Sequence, residues 1–163
     1  MNCGRLYKIL EGICAAMLVL APSSAYAQQV RISKLTDVAF GMIGNFTTDL
    51  TNAQNVCLFN NKGLRTYNIT ATGDGTSGAF ALSAGSNKLA YEVQWSATSG
   101  QTTGTALMAG VALTNLTSTA TVSDCSSGPA TTASLIMILR TAEVGAAAAG
   151  FYSGTLTLLV AAN

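Results

Sequence analysis

Histidine is absent from the 163 residues, charge is scarce at 9%, and proline occurs only twice. Without histidine there is no Ser/His/Asp triad, no Cys/His dyad and no His-ligated zinc or haem, so the commonest general base and metal ligand are missing. An average domain carries about 25% charged residues. The formal net charge is only +1, which provides no basic footprint for DNA or RNA. These absences point away from an enzyme, a cofactor protein or a nucleic-acid binder.

What is present at the N-terminus has the layout of a secretory leader. Arg5 and Lys8 precede the apolar run from Gly12 to Ala21, and Pro22 to Ala27 closes on the small-x-small pattern Ala25, Tyr26, Ala27. Cleavage is expected after Ala27, making 1–27 a signal peptide and 28–163 the mature domain. The competing reading, a membrane anchor, is disfavoured because a spanning helix needs about 20 apolar residues, so no membrane span is expected in the mature chain. Loss of the leader removes Arg5, Lys8 and Glu11 and leaves basic and acidic groups in balance. The remaining length suits one domain with a substantial core.

Cys3 and Cys14 leave with the leader, and Cys57 and Cys125 remain. In an exported chain two cysteines are expected to pair, which would constrain the unfolded chain by about 4 kcal/mol in a chain-entropy account. Two separate thiols are the alternative. A metal site is disfavoured, because two sulfurs leave a zinc shell half empty.

Hydrophobic periodicity along 28–163 is two rather than 3.6. Thr66 to Thr72 places Tyr67, Ile69 and Ala71 on one face and Asn68, Thr70 and Thr72 on the other. The cluster Gly73 to Gly78 reads as a turn, Phe80 to Ala84 as a strand, Gly85 to Lys88 as a second turn, and Leu89 to Ser96 as a third strand with Tyr91, Val93 and Trp95 inward and Glu92 outward. Three such strands predict an antiparallel meander. Further strands are expected over Leu35–Gly41, Asn55–Asn60, Thr105–Leu113, Thr119–Cys125, Ala133–Arg140 and Gly154–Val160. Ala133–Arg140 is apolar on both faces and is placed at the centre of a sheet. Ala146 to Ala149, bracketed by Gly145 and Gly150, read as a loop or single turn. The fold class is therefore all-β, a single antiparallel sandwich.

Candidate chemistry is sparse. Asp74 is one carboxylate in a turn, too few donors for a calcium loop. Glu92 lies on the opposite face from Tyr91 and Trp95, which argues against a sugar platform, and no two acids are marked as a glycosidase pair.

The order of a VAFG strand (Val38 to Gly41), a strand containing Cys57, the YNITATGDG strand and turn, the LAYEVQW strand and the ending GFYSGTLTLLVAAN resembles the spore coat protein U and archaic chaperone-usher pilin family. The ending carries most of the likeness, through Gly150, Tyr152, Thr155, Leu156, Leu158 and Val160. The resemblance covers Leu35 to Asn163. It implies a secreted immunoglobulin-like sandwich that lacks one strand, completed in the periplasm by a chaperone and then, at the cell surface, by the N-terminal extension of a neighbouring subunit. Ile136, Ile138, Leu156, Leu158 and Val160 are the expected walls of the strand-acceptor groove. Val30 and Ile32 are the candidate donor residues. The stretch Gln28 to Lys34 that holds them is short, which fits an end subunit that accepts without donating, or a self-contained relative. The resemblance also implies an early cysteine partner for position 57, whereas Cys125 is the one remaining after cleavage.

Three functions follow as expectations: a structural subunit of a pilus or coat, a secreted carbohydrate-binding or adhesive module, and, least favoured, an enzyme. A binding module calls for exposed aromatics, for which Phe46, Phe59 and Trp95 are the candidates. An open groove calls for exposure of Leu156, Leu159 and Ile138.

Overall fold

The computed structural model describes residues 29–44 and 47–163. The expected leader over 1–27 lies outside the described residues, and so does Phe46. Among the described residues ten strands are formed, β1 (Val30–Ser33), β2 (Leu50–Asn60), β3 (Thr66–Gly73), β4 (Ala81–Ala84), β5 (Asn87–Ala90), β6 (Glu92–Ser96), β7 (Thr105–Ala106), β8 (Leu113–Thr117), β9 (Ala133–Leu139) and β10 (Leu156–Ala162), with one short α-helix, α1 (Thr141–Ala146), before β10.

The strands form two facing layers and a hairpin. One sheet has the order β1-β2-β9-β6-β7, the other β10-β3-β8, and β4-β5 stands apart. All pairings between these strands are antiparallel. This is the expected all-β sandwich, with an immunoglobulin-like arrangement. Its core takes alternate residues of each strand: Val56 and Leu58, Tyr67, Ile69 and Ala71, Val93 and Trp95, and Leu135, Met137 and Leu139. The Trp95 and Tyr67 rings meet edge to face at 6.5 Å, and Trp95 Nε1 donates to Tyr67 Oη at 3.0 Å. That bond satisfies the indole N–H in an otherwise apolar interior.

β9 is central, as its two apolar faces predict, and all seven of its residues are buried. β3 and β10 keep the expected alternation. The meander is not formed: β3 belongs to the second sheet, β4 and β5 pair with each other around the turn at Gly85 (φ 61°), and β6 belongs to the first sheet. Local alternation marks a half-buried strand but does not say which of two sheets it joins.

Other expected strands are shorter or absent. Thr105–Leu113 breaks after Ala106, because Leu107 drops into the core and Gly110 (φ 75°) turns the chain across to β8. Thr119–Cys125 forms no ladder. It belongs to the crossing from β8 to β9, pinned to β2 where Ser118 Oγ donates to the Leu58 carbonyl and Thr132 Oγ1 both donates to that carbonyl and accepts from Leu58 N. Cys57 and Cys125 are bonded, with Cα atoms 5.9 Å apart, and tie the same crossing to β2. The helix falls on Thr141–Ala146, just ahead of the alanine run, with Glu143 in its first turn, where a carboxylate favours a helix start.

Candidate functional site

β10 is the edge of its sheet. It pairs with β3 on one side, and among the described residues no strand pairs with the other. Beside it opens a cleft of about 1280 Å³, larger than the roughly 300–1,000 Å³ of ordinary small-molecule pockets. Leu135, Met137 and Leu139 of β9 and Leu156 and Leu158 of β10 line it, together with Leu82, Leu89 and Tyr91 from the region of the hairpin. Residues 35–43 form one rim and 147–155 another. Met42 on the first rim and Phe151 on the second are fully exposed. Asp37 is the one charged side chain of the lining.

The first rim carries the VAFG motif, expected as a strand over Leu35–Gly41. It runs without a ladder of its own. Lys34, at φ 65° in the left-handed region, turns the chain out of β1 just before it. Val38 and Phe40 then pack against the core. The backbone of the segment is held by side chains: Gln54 Oε1 accepts from Thr36 N at 2.9 Å, Gln54 Nε2 donates to the Thr36 carbonyl at 3.3 Å, and Asn52 Nδ2 donates to the Ala39 carbonyl at 3.4 Å.

Of the expected groove residues, the cleft brings together Leu156 and Leu158. Ile136 and Ile138 do not line it. On β9 the inward set is Leu135, Met137 and Leu139, and the two isoleucines lie on the opposite face, buried between β2 and β6 where they pair with Ala53 and Gln94 and with Thr51 and Glu92. A strand apolar on both faces carries no parity signal, so only its register against Trp95 and Val93 decides which set faces inward. Val160 packs on the core and does not line the cleft. Val30 and Ile32, the candidate donors, are built into β1, paired with Asn60 and Leu58 of β2 and half-buried on the chain's own core. Gln54 and Asn52 escaped the sequence reading, because the strand was expected over Asn55–Asn60 whereas β2 begins at Leu50.

The aromatic candidates do not form an exposed cluster. Trp95 is buried, and Phe59 is half-buried against the Cys57–Cys125 pair and Ala120. Leu159 is exposed on the outer face of β10, Leu156 is half-buried and Ile138 is buried. Glu92 and Asp49 both engage Arg140, at 2.6 and 2.7 Å. The Arg140 hydrogen bond holds the Glu92 carboxyl below its usual range. The Thr141 backbone N–H does the same for Asp49, helped by Arg140, while the two carboxylates push the guanidinium upward. This trio ties the ends of β2, β6 and β9 together and leaves no free base. Among the described residues no three His, Cys, Asp or Glu side chains converge on a metal site, and no helix is long and apolar enough to cross a membrane. A second pocket of about 70 Å³, lined by Ala106, Leu107, Met108, Val111, Ala112 and Leu113, offers no ionisable group.

No family model matches the chain and no curated protein matches it. Among solved structures it is similar to a chain of a chaperone–tip adhesin complex of CFA/I fimbriae biogenesis, with a TM-score of 0.53 and 18% identity over 83% of this chain. The likeness spans 41% of that other chain. At this identity it bears on the fold, which both chains share.

Proposed function

We propose that this chain is a non-catalytic structural subunit of a bacterial surface fibre or coat, exported and then completed by a β-strand inserted from a partner. The observation that carries the reading is the unpaired edge of β10 running beside an apolar cleft. An edge strand presents free N–H and C=O groups, and the cleft leaves Leu156 and Leu158 only half-buried. One extended segment with alternating apolar side chains satisfies both at once. The fold likeness to a chain from a fimbrial chaperone–adhesin complex supports the same reading. The partners are then a periplasmic chaperone in transit and a neighbouring subunit in the assembly. With Val30 and Ile32 committed to β1, the chain acts as an acceptor that does not donate through them, which suits an end subunit.

Coexpression with a periplasmic chaperone of a fimbrial assembly system, followed by gentle extraction, tests this. The wild type is expected to be recovered as a stoichiometric complex. Leu158→Glu, which puts a charge into the cleft, should lose the partner, while Leu159→Glu on the outer face should keep it. Failure of the wild type to retain the chaperone, or equal retention by wild type and Leu158→Glu, would sink the reading.

A further inference from the structure

Two polar residues sit where β2 should present apolar ones. Leu50, Asn52, Gln54, Val56 and Leu58 share one face of β2, and Asn52 and Gln54 lie opposite Met137 and Leu135, both core residues. Gln54 also lines the cleft. A primary amide carries one carbonyl and one N–H donor group, the same pair that a peptide unit offers. Gln54 uses both on Thr36, accepting from its N–H and donating to its carbonyl, and Asn52 bonds the Ala39 carbonyl two side chains further up the strand. Thr36 Oγ1 adds a third bond to Gln54 Oε1 at 3.2 Å. The amides thus stand in for a ladder that β2 does not make with this segment.

We propose that Gln54 and Asn52 are positioning residues for the cleft's occupant, holding Leu35–Phe40 in place as a second edge opposite β10. This rests on the strand-acceptor reading. An inserted strand then bonds to backbone on both sides, and apolar side chains at positions 52 and 54 would leave the rim free to drift and the strand paired on one side only. Since Thr36 and Ala39 are exposed, water replaces the lost amide bonds in the empty protein, so the fold itself is little affected.

The test is binding of a blocked synthetic peptide of about ten residues, alternating valine with threonine or lysine, to the purified protein and to the double variant Asn52→Leu, Gln54→Met. The expected result is binding weakened about tenfold or more, through faster dissociation, with an unchanged melting temperature of the unoccupied protein. Gln54→Glu keeps the acceptor for Thr36 N and should recover part of the loss. Equal affinity for wild type and double variant, or a Gln54→Glu protein as weak as Gln54→Met, overturns the positioning role alone. A wild type that binds no such peptide overturns the strand-acceptor reading and this inference with it.

Discussion

At the scale of single residues the interior is organised by a few polar contacts inside an apolar core. Tyr67 is nearly inaccessible and its phenol is pushed up to about 12, chiefly by burial, with the Trp95 bond acting against that rise. Because the folded value lies above the unfolded one, the contribution of Tyr67 is complete below pH 10 and fades as pH rises toward 12. Alkaline titration followed by tyrosinate absorbance should therefore show one late phenol coupled to unfolding. Tyr67→Phe should abolish that phase and, by leaving the indole N–H unpaired, cost about 1–3 kcal/mol in urea denaturation at neutral pH. An unchanged midpoint would mean that the indole finds another acceptor. The Cys57–Cys125 bond joins β2 to a crossing that has no ladder. Replacing both cysteines by serine is expected to cost about 2–5 kcal/mol, and a variant as stable as the wild type would show that Ser118 and Thr132 suffice as anchors.

At the scale of elements, Arg140 at the end of β9 bridges the starts of its two neighbours, β2 through Asp49 and β6 through Glu92. Both carboxyls are held below their ordinary values of 3.8 and 4.5. The stability they add is therefore present above those values and lost as pH falls through the lower folded ones. The urea midpoint should stay level from neutrality to about pH 5 and then decline. Arg140→Met should flatten that decline, and raised salt should weaken it, since all three groups are partly exposed. Elements also show what was legible in the chain. Tyr67, Ile69 and Ala71, and Leu156, Leu158 and Val160, announce their inward faces by strict alternation. Ala133–Leu139 announces burial but not parity, which is why the expectation fell on Ile136 and Ile138 and the cleft holds Leu135 and Met137 instead. The rim at Leu35–Gly41 has a strand's pattern without a strand's partners. What holds it, Gln54 and Asn52, becomes visible only when the register of β2 on β9 places both amides inward.

At the scale of the whole molecule, few charges and an open apolar cleft belong together. A protein with little net charge and an apolar cleft lined by half-buried leucines has little to oppose association. The unoccupied protein should accordingly bind an apolar fluorescent dye and broaden on sedimentation as concentration rises, and an alternating peptide should reverse both effects. Dye binding that the peptide leaves untouched would place the exposed surface elsewhere, at Met108 and Val111. The all-β class was readable from the period of two, but the division of strands between two sheets was not, since every half-buried strand has the same period.

β1 sets one more property of the cleft. It lies against β10, whose Leu156 and Leu158 line the cleft while Val160 does not. If the cleft takes a strand, as proposed, the chain's own first strand would stand beside the edge that the guest pairs with, a doorstop limiting how far the guest advances and hence which of its side chains meets which leucine.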